Sequence, residues 1–543
     1  MYRANDSHGQ RDMFDTTTLM NPKTLGKLEK SWAAYFYEHV FCRIDEAPFA
    51  ALYSPGMGRP NFPVNVILSL EYIKHMKDIS DEELMEDFNF NYLVNYAVGI
   101  RNLGEMSLTE RTLDNFRVNV YRHCLENPDG ENALFGQFIA LAKEFAGKAD
   151  ISLAEQRTDT MMFASNIKKA GRMSLAHDVL AKAVKALPEA ALPASLAAVL
   201  EKGFKNMVLY RSKEQDAESR LAMLLGLCQE ALALYDADAG TAGSDEARML
   251  RRFLSDQSTP DPETGKPVPK PSKEVSSGSL QSAYDEDATF RRKGDKAQSG
   301  YVLELSETCG KENPFQLITD CAVEPNNAND ADILEGRLPA IRENTGCEDM
   351  YADGAFNSEG LREAADENKI AIHLTNMSGR EPSKRLPLTD YQIDPRTNLV
   401  LRCPAGKEPF RAALNNSQTT AHFSYGDCVG CPFFGQCHSK GQKNYFVVRI
   451  SLNAVEASRV RAEMKASQME NTSKRAAIEG TNSALKRKGQ GKLRVRGINK
   501  CTAVSIYKAT AQNIKRFIKF MQGGYKAKAS GTPPNGVSLP VVA

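Results

Sequence analysis

The sequence predicts a mixed α/β protein whose strands and helices alternate and which carries additional helical segments. Strand-like apolar runs occur in SGYVLELSETC, FQLITDCAVEP and KIAIHLT. Helical patterns lie before, between and after these runs, and an Ala/Leu-rich helical segment over 165–255 is interpreted as an insertion. Short strands alternating with helices are typical of an α/β core. We therefore expect one such core, interrupted by helical modules.

The composition is that of an ordinary soluble protein. The chain has 543 residues, of which 42% are hydrophobic and 25% are charged, and its mean hydropathy is −0.43. No window approaches the run of about 18 apolar residues that a membrane span requires. The N-terminus MYRANDSHGQRDMFDTT lacks the apolar segment of a signal peptide. We expect a cytoplasmic protein.

Several short amphipathic helices are predicted over residues 20–125. FPVNVILSLEYIKHMK places apolar residues at helical spacing along one side. Ser80 with Glu83, and Ser107 with Glu110, have the spacing of capping boxes. Such a segment is compatible both with a helix-turn-helix DNA-binding unit and with a plain helical bundle. Farther along, DQSTPDPETGKPVPKPSKEVSSGSL is rich in Pro, Ser and Lys and predicts a loop or linker.

The stretch CEDMYADGAFNSEG places Asp353 directly after a short apolar run, at the turn into a predicted helix and a further strand. A carboxylate at such a turn is often only a turn residue. In open α/β sheets, however, ligands also collect at the carboxyl ends of strands. Both interpretations of Asp353 stay open on this stretch alone.

The charge of the chain is unevenly distributed. The net charge is +1, but residues 480–543 contain thirteen Lys or Arg and no Asp or Glu. A one-sided cationic segment suits a polyphosphate partner, although a solvated basic tail is the simpler alternative.

At the start of this segment, RAAIEGTNSALKRKG (residues 475–489) has helical spacing. Arg475, Glu479, Asn482 or Ser483, and Lys486 would then share one face. By itself, a glutamate between cations is typical of a surface ion pair.

Three carboxylates in their local contexts resemble those of bacterial insertion-sequence transposases of the DDE class. They are Asp159 in RTDTMMFASN, Asp353 in YADGAFNSEG and Glu479 in RAAIEGTNSALKRKG. The glutamate helix of that family often reads Tyr-x2-Arg-x3-Glu-x6-Lys. Arg475, Glu479 and Lys486 match its last three positions, whereas Thr472 stands at the tyrosine position. The likeness covers roughly residues 20–520, with 165–255 as an insertion.

The resemblance implies an RNase H-like catalytic core that binds transposon ends and cuts and joins DNA strands. Asp159, Asp353 and Glu479 would hold two Mg²⁺ or Mn²⁺ ions, because these hard cations prefer oxygen ligands. DNA at the element's ends and at the target would be the partner, with a homodimer in the synaptic complex and a location at the bacterial nucleoid. The residues expected to contact DNA are Arg475, Lys486, Arg487, Lys488, Lys492, Arg494, Arg496, Lys293 and Lys296. For Lys293 and Lys296, a solvated turn is an equal alternative.

The same resemblance divides the chain into successive segments. The N-terminal DNA-binding module would occupy 1–130 and the start of the catalytic core 131–164, followed by the insertion at 165–255. The linker would be 256–280, the continued core 281–400, a cysteine-rich module 401–440, the C-terminal catalytic helices 441–525 and a flexible tail 526–543.

Four of the eleven cysteines lie close together in the sequence. Cys403, Cys428, Cys431 and Cys437 have the spacing C-x24-C-x2-C-x5-C. A C-x2-C knuckle with two further cysteines predicts a structural, zinc-ribbon-like Zn²⁺ site, in which His422 or His438 could replace one sulfur. Four reduced thiols in a loop module are the alternative. The scattered remainder indicates a reduced protein rather than a disulfide framework.

Two other functions stay open at this point. A nuclease with the same core would cleave DNA without strand transfer. A catalytically inactive or domesticated copy would retain only DNA binding, but the presence of all three carboxylates argues against it.

Overall fold

A computed structural model of the chain describes residues 1–6, 8, 15–56, 58–127, 132–210, 217–375 and 385–525. The predicted tail at 526–543 lies outside these described residues. The chain divides into two compact units, residues 1–347 with 478–543, and residues 348–477. Each unit contains both helices and β-sheet, as expected for a mixed α/β protein.

Among its described residues, the first unit begins with seven α-helices. They are α1 (Pro22–Glu29), α2 (Trp32–His39), α3 (Val64–Lys77), α4 (Asp81–Phe90), α5 (Tyr92–Ala97), α6 (Glu110–Glu126) and α7 (Ala133–Ala149). Two more helices of this unit, α17 (Ile478–Leu485) and α18 (Ile498–Met521), come from the end of the chain.

Helix α3 is buried on all sides rather than along one stripe. Every residue from Val64 to Ile73 is buried, and Tyr72 lies edge-on to Tyr507 of α18 with ring centroids 6.2 Å apart. The buried Glu71 is paired with Arg117 of α6, whose Nε lies 2.7 Å from Glu71 Oε1. The apolar residues predicted along one side of this helix lie in the core, but the opposite side is buried as well, because α18 covers a face that local spacing treats as exposed.

One of the two predicted capping boxes is present. Ser80 Oγ accepts from the Glu83 amide at 3.1 Å, and Glu83 Oε2 accepts from the Ser80 amide at 2.7 Å. The second was wrong, since α6 begins at Glu110 with Thr109 as its N-cap and Ser107 lies outside the helix.

The sheet of the first unit is antiparallel. Its strands are β1 (Glu155–Phe163), β4 (Thr289–Lys293), β5 (Lys296–Thr308) and β6 (Ile318–Pro325), followed by helix α13 (Asp330–Thr345). Strand β5 pairs with β1, β4 and β6, and Asp159 lies opposite Leu305. Apolar residues of this sheet, of the N-terminal helices and of α18 form one hydrophobic core. Helix α18 thus packs against both the N-terminal helices and the sheet.

The segment between β1 and β4 is helical, as predicted, and has a separate hydrophobic core. It contains α8 (Arg172–Ala186), α9 (Ala194–Ala197), α10 (Lys202–Leu209), α11 (Ala217–Ala237), α12 (Asp245–Gln257), β2 (Ser258–Pro260) and β3 (Pro267–Pro269). The predicted linker differs from a plain loop because β2 and β3 form an antiparallel hairpin. Arg172 holds this hairpin by donating to Gln257 Oε1 and to the Lys270 carbonyl, each at 2.8 Å.

The second unit contains a parallel pair of strands and a larger antiparallel sheet. Its elements are β7 (Asp349–Ala352), α14 (Glu359–Glu367), β8 (Ala371–Leu374), β9 (Gln392–Ile393), β10 (Val400–Arg402), β11 (Arg411–Asn415), β12 (Gln418–Ser424), α15 (Tyr425–Val429), β13 (Ser439–Gly441), β14 (Tyr445–Ser451) and α16 (Leu452–Ala476). Strands β7 and β8 are parallel, and the larger sheet has the order β11-β12-β14-β13. The short strand and following helix predicted around Asp353 are confirmed.

The helix predicted to carry Arg475, Glu479 and Lys486 on one face is divided. Helix α16 ends at Ala476 and α17 spans Ile478–Leu485, and the backbone beyond Lys486 leaves the helical conformation at Lys488 and Gly489, where the φ of Gly489 is +77°. Within the described part of the chain, no helix is both long and apolar enough to cross a membrane.

Candidate active site

Asp159 lies in the middle of β1, where this strand pairs with β5. The neighbouring Thr158 is buried, whereas the Asp159 side chain emerges half-buried on the other face, as the alternation of a strand requires. The amide Nδ2 of Asn482, on α17, donates to Asp159 Oδ2 at 3.0 Å. This bond ties the first predicted carboxylate to the helix that carries Glu479.

Glu479 lies one turn before Asn482 on α17. Residues three apart on a helix lie on the same side, so the Asn482 bond to β1 also fixes where this part of α17 sits. Glu479 is exposed, while Thr481 and Asn482 are buried. The turn of α17 that bonds to β1 is therefore buried, whereas the carboxylate one turn earlier is exposed.

A buried ion-pair network anchors α17 to strand β5. Glu307 of β5 is completely buried and accepts from Arg157 Nη2 at 2.7 Å, from Thr481 Oγ1 at 2.7 Å and from Arg516 Nη1 at 3.1 Å. Arg516, on α18, also donates to Thr481. A buried carboxylate needs such partners because its desolvation is costly. The network joins β1, β5, α17 and α18 around one charge.

The sequence interpretation did not find Glu307, Thr481, Arg157 or Arg516. The available signal was the pair of acids in the strand run VLELSET, since carboxylates in a buried strand require partners. Their partners could not be identified from the sequence, because they lie far apart along the chain.

Asp353 is the third predicted carboxylate and belongs to the second unit. It directly follows β7, and its Oδ1 accepts from the Ala355 amide at 2.8 Å, which caps a 3₁₀ turn over Gly354–Phe356. Its Oδ2 lies 3.5 Å from Arg475 Nη2. Both interpretations of this residue are thus compatible with the structure: it caps a turn, and its second oxygen lies beside a cation.

The residues predicted to contact DNA differ in their solvent exposure. Lys486, Arg487, Lys492, Arg494 and Lys293 have exposed side chains. Lys488 is half-buried, and burial together with the nearby Lys515 and Lys508 lowers the pKa of its ammonium to about 8. Lys488 is therefore the least suited of the set to bind a phosphate.

Two further members of that set occupy defined positions. Arg496 donates to the Asn166 carbonyl at 2.8 Å and stacks over the Tyr284 ring, with 5.2 Å from Cζ to the centroid. Lys293 and Lys296 face each other in register across the β4–β5 hairpin.

The three predicted carboxylates lie on both units, two on the first and Asp353 on the second. Among the described residues, no three His, Cys, Asp or Glu side chains form a group arranged to hold a metal ion. The donor set itself consists only of carboxylates, which is the chemistry that Mg²⁺ and Mn²⁺ select.

The four clustered cysteines line one small cavity in the second unit. This cavity of about 20 Å³ is bounded by Cys403, Cys428, Cys431 and Cys437 together with Phe423, Phe434 and Val448. Burial, followed by the neighbouring thiols, raises the pKa of Cys428 to about 11. The Tyr391 hydroxyl lies 2.9 Å from Cys437 Sγ.

The two histidines near this cavity have other contacts. His438 Nε2 lies 3.0 Å from the Leu386 carbonyl, and the His422 ring lies 5.1 Å from that of Tyr445. The thiols converge on one cavity without being arranged as a metal site, so zinc binding stays a prediction.

Two family models match the chain, and both describe transposases. A Transposase DDE domain matches residues 402–518, and a Transposase domain (DUF772) matches residues 29–119. No curated protein and no solved structure gives a match. The first match contains Glu479 and all four clustered cysteines, and neither match reaches Asp159 or Asp353.

The two matched segments of the chain are therefore similar to transposase domains. More particularly, they support the resemblance found in the sequence, to insertion-sequence transposases of the DDE class, which is thereby confirmed. A transposase of this class implies DNA as a partner and a divalent metal as a cofactor.

Proposed function

We propose that this transposase binds the terminal inverted repeats of a bacterial insertion sequence and catalyses metal-dependent strand cleavage and strand transfer. The observation that carries the proposal is the Asn482–Asp159 hydrogen bond. It connects one predicted carboxylate to the helix of another, and that helix lies within the matched DDE domain.

The proposed metal ligands are Asp159, Asp353 and Glu479. Two Mg²⁺ or Mn²⁺ ions held by these residues would stabilise the attacking and leaving oxygens of an in-line phosphoryl displacement. Three contacts support this proposal: Asn482 of α17, the helix of Glu479, donates to Asp159, the Ala355 amide donates to one oxygen of Asp353, and Arg475 lies 3.5 Å from the other oxygen. In the proposed complex, Arg475 would exchange that carboxylate for a backbone phosphate.

An RNase H-like core is the fold proposed for this site. Along the chain, three strands that pair antiparallel (β1, β5 and β6) precede α13, and β7, α14 and β8 follow as a parallel βαβ unit. The first carboxylate lies on the first of these strands and the second follows β7. This order of elements supports the proposed fold.

The proposed DNA-binding surface is the exposed cationic segment after α17, together with the N-terminal helices. Lys486, Arg487, Lys492 and Arg494 are exposed and lie in a segment without carboxylates, which favours contact with a phosphate backbone. A homodimer at the nucleoid is proposed on mechanistic grounds, because transposition brings two ends of the element together.

Strand cleavage on a plasmid carrying the element's ends tests the active site. Asp159→Asn, Asp353→Asn and Glu479→Gln are each expected to reduce Mg²⁺-dependent cleavage at least 100-fold, since each removes an anionic ligand. Glu363→Gln on α14 removes an exposed carboxylate outside the site and is the matched control. Cleavage by the Asp353→Asn protein at the wild-type rate would show that the assignment is wrong.

The same assay separates the alternatives. A labelled target DNA becomes joined to the element's end if the protein is a transposase with strand transfer. Cleavage without joining would indicate a nuclease, and end binding without cleavage in Mg²⁺ or Mn²⁺ would indicate an inactive DNA-binding copy.

We also propose a structural zinc ion at the four clustered cysteines. Their convergence on one cavity in a matched transposase domain supports this proposal. Metal analysis of the purified chain is expected to find one zinc per molecule, which is lost in a Cys428→Ser/Cys431→Ser variant. Cys228→Ala, which removes a buried thiol in the helical insertion, is the control. Absence of stoichiometric zinc in the wild-type chain would end the proposal.

A further inference from the structure

Asn482 carries an unpartnered polar atom directly beside a predicted metal ligand. Its side chain is only 7% exposed, and its Nδ2 donates to Asp159 Oδ2 at 3.0 Å. Its other polar atom, Oδ1, is buried and has no hydrogen-bond partner among the described residues. A buried acceptor without a partner is unfavourable and requires an explanation.

The orientation of this amide is determined by its neighbour. An ionised carboxylate only accepts hydrogen bonds, so Asp159 requires the NH₂ end of Asn482 toward it. Because Nδ2 and Oδ1 are bonded to the same carbon, the unpartnered oxygen lies next to the Asp159 carboxylate. Within the first unit, the amide oxygen of Asn482 and the carboxylate of Asp159 therefore lie next to each other. Asn482 is one helical turn after Glu479 on α17.

We propose that Asn482 belongs to the cation site, with Oδ1 as a further oxygen donor beside Asp159. An amide oxygen is a suitable ligand for a hard divalent cation, and the cation would satisfy the buried acceptor. The same side chain orients Asp159 through its NH₂ group, as the outer hydrogen bonds of metal ligands do. The inference rests on the proposed function, because it takes Asp159 and Glu479 as cation ligands.

The sequence alone could not select this residue. Helical spacing allowed either Asn482 or Ser483 on the side of Glu479, and the structure buries Asn482 while leaving Ser483 exposed. Ser483→Ala is therefore a control on the same helix, one position away.

Mn²⁺ titration of the full chain, followed by electron paramagnetic resonance of the free ion, tests the proposal without relying on activity. Asn482→Leu is expected to weaken Mn²⁺ binding about 10- to 100-fold, the range seen when groups around a metal ligand are lost. Asn482→Asp, which keeps an oxygen at this position and adds charge, is expected to bind Mn²⁺ within about threefold of the wild type or more tightly. Ser483→Ala should bind as the wild type does.

Two results would overturn the inference. Wild-type Mn²⁺ affinity in Asn482→Leu would exclude the residue from the site. An equal loss in the Leu and Asp variants would reject Oδ1 as a donor. Thermal unfolding without metal monitors the fold of each variant, and Asn482→Asp remains decisive if the Leu variant does not fold.

Parallel titrations of Asp159→Asn and Glu479→Gln separate this inference from the proposed function. If those two variants lose Mn²⁺ binding and Asn482→Leu does not, only the inference about Asn482 fails. If Asp159→Asn and Glu479→Gln bind Mn²⁺ like the wild type, the proposed active site itself is wrong.

Discussion

Removing the buried carboxylate of Glu307 tests whether one charge holds the helix of the candidate site. Glu307 is fully buried and accepts from Arg157, Thr481 and Arg516, so Glu307→Leu removes the carboxylate that the two arginines share. The side chains of Arg157 and Arg516 are 8% and 17% exposed, so solvent compensates little. Breaking a buried pair from one side costs about 3–5 kcal/mol, and we expect a loss of this size.

The protein contains a natural probe for this measurement. Its single tryptophan, Trp32, packs against the hydrophobic core of the first unit. Urea unfolding followed by Trp32 fluorescence therefore reports on the unit that contains Glu307. The control is Asp114→Leu on α6, which removes a carboxylate that is 67% exposed and lies 3.2 Å from Arg117. An exposed pair contributes about 0–1 kcal/mol, so this control should change the free energy of unfolding little.

A second substitution distinguishes a lost contact from an unpaired charge. Adding Arg157→Leu to Glu307→Leu removes one buried cation and is expected to recover part of the lost stability. Equal effects of Glu307→Leu and Asp114→Leu, each below about 1 kcal/mol, would refute the reasoning.

Three further predictions concern the sheet and the cationic segment. Burial and the nearby Asp320 raise the pKa of Glu304 from its ordinary value of 4.5 to about 8. The stability that the protonated side chain contributes is therefore lost as the pH rises from 4.5 toward 8. Glu304→Gln should abolish that decline in urea titrations at pH 5.5 and 8, and parallel profiles for the two proteins would contradict it. In Gly300→Ala, the added Cβ would lie 2.2 Å from a backbone oxygen of β1, at a residue whose φ is +146°. We expect this variant to lose more than about 3 kcal/mol of unfolding free energy. Gly336→Ala in α13 has open space around the added Cβ and should be neutral or stabilising. Similar unfolding midpoints for the two glycine variants would argue against the close approach. Lys486→Ala should lower the salt dependence of binding to the element's ends by about one unit of slope, with no change in sequence preference, and an unchanged slope would remove Lys486 from the DNA surface.

Local features of this protein could be predicted from the sequence because neighbouring residues decide them. The Ser80–Glu83 capping box, the strand before Asp353 and helix α14 after it depend on caps, turns and apolar runs within a few positions. The family resemblance is of the same kind, since it rests on short motifs in a fixed order.

Where tertiary contacts compete with local pattern, the sequence interpretation was incomplete. Helix α3 is buried on all sides because α18 packs on it, although its own spacing predicted one apolar face. The proline-rich segment forms a hairpin, and Arg172, about a hundred positions away, bonds the residues at both of its ends.

The sequence by itself determined the class of protein, the local setting of Asp353 and a cationic segment after Glu479. Only the tertiary structure decided that Asn482 rather than Ser483 meets Asp159, across 323 positions of the chain, and that Glu307 joins Arg516 across 209. The physical reason is that a buried polar group must find its partners in the folded core, and no local spacing specifies which distant strand or helix supplies them.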